Sequence, residues 1–115
     1  MYELNKSEIL RDKREFHYVY TNGRSFANKN LVVHVLSDER YNGKVGFAAG
    51  KKLGGAVVRN RVKRLLREAY RLCKENLRKD VAFILMGRKN LVDAKVDVAV
   101  KALRDICKKA GLVQK

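Results

Sequence analysis

The chain has 115 residues, with 27 Lys and Arg against 12 Asp and Glu, a formal net charge of +15. A length in the single-domain range, 46% apolar residues, five Tyr and four Phe exclude a disordered polyelectrolyte and predict one folded domain over 1–115. Self-repulsion at this charge weakens a compact state unless a partner neutralises it, so the balance points to a polyanion, nucleic acid ahead of an anionic membrane.

No apolar run is long enough to span a bilayer, and the opening Met1-Tyr-Glu-Leu-Asn-Lys-Ser-Glu8 lacks the apolar centre of a signal peptide. A soluble cytoplasmic protein is expected. Residues 1–10 are polar and expected to be loosely ordered. Asp12-Lys-Arg-Glu15 has the spacing of a capping box, and Phe16, Val19 and Tyr20 follow at i, i+3 and i+4, which predicts a helix over 12–21 stopped by Asn22-Gly23. A short edge strand over 24–27 precedes the β-branched run Leu31-Val-Val-His-Val-Leu36, which reads as a strand. Turn-rich residues 38–43 and a second strand over 44–49 complete an expected hairpin.

Gly54-Gly55 opens the longest predicted helix, over 56–77. At about 100° per residue, Val58, Val62, Leu65, Leu66, Ala69, Leu72, Cys73 and Leu77 fall on one arc. Arg59, Asn60, Lys63, Arg64, Arg67, Arg71, Lys74 and Arg78 fall on the other. A buried strand over 81–86 and a helix over 93–110, stopped by Gly111, complete the chain. The strand–helix–strand step suggests a parallel pair and the hairpin an antiparallel one, so helices packed on a small mixed sheet are expected. Cys73 and Cys107 are 34 positions apart, with no CxxC and no paired histidines, and read as core thiols.

The charge is not spread evenly. Between Lys51 and Arg71 there are eight Lys or Arg and one Glu. A solvated helix usually interleaves Glu with Lys or Arg at i, i+4, yet Arg59, Lys63, Arg67 and Arg71 are all positive. Stacking like charges costs stability, so phosphate binding is the preferred account, and arginine suits bidentate phosphate contacts. The acidic residues are scattered, with Asp38 and Glu39 in a loop and Asp93 and Asp97 near a helix start. His17 and His34 stand apart and read as surface or half-buried imidazoles. Nothing here supplies the carboxylate cluster or positioned His of a self-sufficient nuclease.

The stretch Lys51 to Glu68, with Gly-Ala-Val-x-Arg-Asn-Arg-x-Lys-Arg-x-x-Arg-Glu around Arg59-Asn60-Arg61, closely resembles the RNR signature of the bacterial ribonuclease P protein component. The likeness extends to Phe16, Tyr20 and Gly23, to Ser25-Phe-Ala-Asn28 and to Val45-Gly46, and covers about 12–109. It implies an α+β fold, three helices on a four-stranded mixed sheet in the order α-β-β-β-α-β-α, with a left-handed βαβ crossover through the RNR helix. It also implies an auxiliary subunit of an endonuclease whose RNA subunit, using Mg²⁺, removes the 5′ leader of precursor tRNA. The expected partners are ribonuclease P RNA and precursor tRNA, with no membrane. The protein is expected to be a monomer in isolation, one per RNA.

Carried over by position, Lys51, Lys52, Arg59, Asn60, Arg61, Lys63, Arg64 and Arg67 face the RNA subunit. Phe16, Tyr20 and His34 line a leader-binding cleft, where unpaired bases stack on aromatic faces. Phe16 fits ordinary core packing equally well, whereas the hydroxyl of Tyr20 favours an open position. His34 stands where relatives often carry Tyr, Gly50 replaces a common Ser, and Gly87-Arg88 varies the usual ending of the last strand. A small ribosomal or general RNA-binding protein would share the size and charge but not the combined motif. A basic membrane-surface helix fits poorly, because this helix lies between strands with a core to cover.

Overall fold

The computed structural model describes residues 6–10 and 12–113. Asp12 caps helix α1 (Lys13–Asn22), its carboxylate accepting from the Arg14 amide at 2.9 Å. Glu15 does not return the bond as a capping box would; it faces Lys44 at 3.4 Å. Gly23 ends α1 in extended backbone, with φ at −83°. Space requires the glycine, since a Cβ would stand 2.7 Å from the carbonyl oxygens of both Val19 and Val35.

Strands β1 (Arg24–Ala27), β2 (Leu31–Leu36), β3 (Val45–Ala49) and β4 (Ala82–Gly87) form one sheet in the order β1-β2-β4-β3. β1 and β4 run antiparallel to β2, while β3 and β4 are parallel. The expected hairpin of 31–36 with 44–49 does not form, because β4 lies between them. Burial explains the insertion: Ala82, Phe83, Ile84 and Leu85 are each no more than 1% exposed. Four consecutive buried side chains demand cover on both faces, which a central strand receives. The true hairpin is β1–β2, turned by Asn28. Its Oδ1 accepts from the amides of Asn30 and Leu31, and its Nδ2 donates to the Ala102 carbonyl at 3.2 Å.

Helix α2 (Ala56–Cys73) connects β3 to β4, and α3 (Val96–Lys109) follows β4. α2 ends four residues before the predicted 77. The chain tightens into a 3-10 turn at Lys74–Asn76, and Leu77 is extended, bridging Val113. α3 starts three residues later than predicted, after a 3-10 turn at Lys89–Leu91. Gly111 adopts φ +73° beyond its end, and the Leu112 amide reaches back to the Cys107 carbonyl at 2.8 Å, a glycine-dependent helix stop.

Of the N-terminal segment expected to be loosely ordered, residues 1–5 lie outside the described residues. Residues 6–10 are seated against the sheet. Ile9 bridges Val45 in parallel, the Leu10 amide donates to the Val45 carbonyl at 2.9 Å, and Leu10 is buried. Both Glu8 oxygens meet Lys74 Nζ, at 2.7 and 2.8 Å.

The sheet separates two clusters. Leu31, Val33, Val35, Phe83 and Leu85 pack beneath α2 and α3 together with both buried cysteines. On the other face Val19 of α1 joins Leu10, Ala82 and Ile84, with Phe16 packed alongside. Among the described residues no helix is long and apolar enough to cross a membrane.

Candidate nucleic-acid interface

α2 buries Val62, Leu66, Ala69, Tyr70 and Cys73 and leaves its charged arc in solvent. Asn60, Arg61, Lys63, Arg64 and Arg67 are exposed, as are Lys51 and Lys52 in the 3-10 turn before the helix. Arg59 is only half-buried, and its Nε is shielded from solvent with no hydrogen-bond partner among the described residues. Arg61 lies 4.0 Å from Asp93 in an exposed, weak pair. Arg67 leans over the Phe47 ring at 5.6 Å. Two residues depart from the predicted wheel. Leu72, placed on the apolar arc, is 46% exposed, while Tyr70, near the basic arc, is buried between the edges of Phe47 and Phe83. The helix covers edge strand β3 as well as the sheet centre, so its buried arc is turned toward Phe47.

No side chain caps the start of α2 at Gly55, and its first turn has no acidic residue. The partial positive charge of the helix N-terminus therefore adds to Lys51, Lys52 and Arg59. Glu68, the one carboxylate in this stretch, is engaged by Arg71, whose hydrogen bond holds its carboxyl below the usual range. The face presents guanidinium and ammonium groups in a row, the arrangement that suits successive phosphates.

The second feature lies on the opposite side of the sheet. Strand register aligns Ser25, His34, Ile84 and Gly46 in one cross-sheet row, and Ala27, Val32, Met86 and Ala48 in the next. α1 covers the first row. The Phe16 ring rests on Gly46, where a Cβ would come within 2.9 Å of it, and Tyr20 tilts over His34 with centroids 4.5 Å apart. Tyr20 is 45% exposed, as its hydroxyl suggested, and Phe16 is half-buried, both packed and facing an open depression with Leu10, Lys13, His17 and Tyr20. The structure thus brings Phe16, Tyr20 and His34 together.

The second row is the part that sequence reasoning missed. Val32, Met86 and Ala48 are half-exposed, forming an apolar floor next to the Tyr20–His34 pair. β2 is apolar on both faces, so alternation could not mark Val32 as open; only the length of α1 does. The strands end beside this row, and exposed Lys29, Lys51, Lys52, Arg88 and Lys89 follow directly. The result is an aromatic and apolar trough with cations at its end, a surface suited to single-stranded nucleic acid.

His34 is 9% exposed, and burial lowers its pKa, favouring neutral imidazole near neutral pH. His17 is exposed, 3.3 Å from the Thr21 hydroxyl. Burial pushes Cys73 and, to about 12, Cys107 upward, so both behave as inert core thiols. Among the described residues no three His, Cys, Asp or Glu side chains gather as metal ligands.

Comparison with known proteins gives a consistent result. The family model for ribonuclease P matches residues 4–111. The ribonuclease P protein component of Symbiobacterium thermophilum is 40% identical over 113 residues, covering 97% of this chain and 98% of its own. That of Clostridium botulinum strain Eklund 17B is 39% identical over 110 residues, covering 90% and 88%. Among solved structures, the Staphylococcus aureus RNase P protein superposes with a TM-score of 0.79 at 27% identity, covering 93% of this chain and 98% of its own. The Thermotoga maritima RNase P protein gives 0.74 at 27%, covering 89% and 96%.

Proposed function

The chain belongs to the ribonuclease P protein family, and from that premise we propose that it binds the catalytic RNA subunit through α2 and holds the 5′ leader of precursor tRNA in the open trough beside α1. Lys51, Lys52, Arg59, Asn60, Arg61, Lys63, Arg64 and Arg67 supply the contacts to the RNA subunit. Phe16, Tyr20 and His34 supply the leader contacts. One observation carries the reading: an unbroken positive helix face and an uncovered aromatic trough occur on one small domain, each costly to stability and each explained by RNA.

In this scheme the protein does no bond breaking. Cleavage is assigned to the RNA subunit with Mg²⁺, and the protein neutralises phosphates that would otherwise repel substrate and RNA. An unpaired leader base stacks on the exposed Tyr20 ring, and neighbouring bases lie over Val32, Met86 and Ala48. The cations following β3 and β4 take the backbone. The contribution is to affinity and placement of the scissile phosphate.

The test is reconstitution of precursor tRNA cleavage with bacterial ribonuclease P RNA at low Mg²⁺, with and without the protein. Faster 5′ cleavage with the protein is the expected result. No gain would refute the reading, and cleavage by the protein without RNA would refute the assignment of catalysis. Replacing Arg59 and Arg61 together with Ala should weaken RNA-subunit binding with the fold retained; unchanged affinity would remove these residues from the interface.

A further inference from the structure

Helical spacing sets Leu65 on the border between the buried arc of α2 and its cations. Arg61 lies one turn before it and Glu68 one turn after, while Arg64 and Arg67 lie further around toward solvent. Along this border a groove of about 380 Å³ opens between α2 and the start of α3. Half-buried Leu65, Ala94 and Val96 line it, together with exposed Arg61, Arg64 and Arg67. Glu68 also lines it and is already engaged by Arg71. The wall opposite α2 is fixed, because the Ala94 amide donates to the carbonyl of fully buried Leu91 at 3.2 Å, and Leu65 and Ala94 both pack against the core.

The apolar and the charged lining suit different parts of a ligand. Arg61 has only its exposed pair with Asp93 at 4.0 Å, too weak to satisfy a guanidinium, and an anion suits it better. The methyl and methylene groups of Leu65, Ala94 and Val96 give a phosphate nothing to accept from and favour an apolar surface instead. A nucleotide with its base unstacked carries both kinds of group, and a guanidinium also stacks on such a ring. An apolar peptide side chain would cover the floor and leave the arginines unanswered. The volume lies within the roughly 300–1,000 Å³ of pockets that take small organic ligands.

We propose that this groove takes one unpaired nucleobase of the RNA bound along α2. The base lies on Leu65, Ala94 and Val96, and Arg61 and Arg64 hold the phosphates on either side of it. The consequence is selectivity. Phosphate contacts along a cationic helix fit any RNA, whereas a base enters the groove only where the RNA leaves one unstacked at the matching place. The proposal rests on the function proposed above, in which that RNA is the catalytic subunit.

The experiment measures binding of the full-length protein to ribonuclease P RNA against salt, and probes the RNA in the same complexes with dimethyl sulfate and a 2′-hydroxyl acylating reagent. Ala94→Leu fills the groove and should lower affinity about five- to thirtyfold, the loss of one base contact. The slope of log affinity on log salt should stay as in the wild type, because no phosphate contact is removed. Arg64→Ala should reduce that slope by about 0.7–0.9. One unpaired nucleotide should be shielded by the wild-type chain and reopened by Ala94→Leu. Val96→Thr sets a hydroxyl into the floor at nearly constant size, so it carries the test even if Ala94→Leu fails to fold, and should lose about three- to tenfold. Wild-type affinity in the folded variants overturns the groove as a base site. So does weaker binding with the nucleotide still shielded, or a slope that falls as in Arg64→Ala. Failure of the wild-type chain to bind ribonuclease P RNA is a separate result, which removes the function proposed above and this site with it.

Discussion

On one face of the sheet, Leu31, Val33, Phe83 and Leu85 are no more than 1% exposed beneath α2 and α3. On the other, α1 covers one cross-sheet row and leaves Val32, Ala48 and Met86 half-exposed in the next. Both faces are apolar, but only one is closed. Apolar side chains under two helices stabilise the domain by about 1.5–3 kcal/mol for each large one fully buried. Those in the uncovered row forgo part of that gain, which marks a surface kept open for a ligand rather than a second core. α2 shows the same division in one element, with five buried positions toward the sheet and cations outward.

Substitutions on the two faces should separate stability from binding. The largest stability effect is expected from Leu85→Ala on the closed face, a loss of about 2–5 kcal/mol by chemical denaturation, because the cavity lies where nothing can collapse into it. Gly87→Ala should follow at about 1–3 kcal/mol, since its Cβ would meet a Val62 methyl at 2.4 Å. The matched change on the open face, Gly46→Ala, meets the Phe16 ring, which has room to swing, and should appear chiefly as altered leader binding.

Tyr20→Ala should cost about 1 kcal/mol of stability or less, yet weaken binding of leader-bearing precursor by about 5- to 150-fold, the equivalent of one lost stacking contact. Mature tRNA should bind unchanged. Equal loss for both substrates would make Tyr20 a structural residue and erase the contrast between the faces.

The smallest effect concerns pH. The folded pKa of His34 lies below its ordinary 6.5, so the unfolded chain binds the proton first as pH falls. Stability should therefore be full above about 6.5, decline as pH falls toward the folded pKa, and level off below it. His34→Phe should flatten that decline in denaturation midpoints taken between pH 8 and 5. An identical decline in the variant would show that His34 is not its source.

Much of the fold was legible locally. β2 matches its predicted bounds because a β-branched run between turn signals has few alternatives, and α2 starts where Gly54-Gly55 and the 3.6-residue pattern place it. The candidate RNA-facing residues on α2 were legible for the same reason, since a helix face is set by spacing alone. The trough was legible only in part. Phe16 and Tyr20 share a face of α1, but their meeting with Gly46 and His34 joins residues far apart in the chain. The burial of Tyr70 was not legible, because its angle on the wheel said nothing about Phe47 and Phe83.

The sequence by itself determined the charge, its concentration on one helix, the elements and their order, because these depend on composition and on periodicities of a few residues. Only the tertiary structure decided which strands are neighbours. Residues 44–49 follow β2 closely, but β4 needs cover on both faces and takes the place beside β2. That exchange aligns Val32 with Met86 and Ala48, sets the cations after β3 and β4 at one end of the row, and makes the trough. The +15 charge named a polyanion, and long-range packing decided where on the surface such a partner can lie.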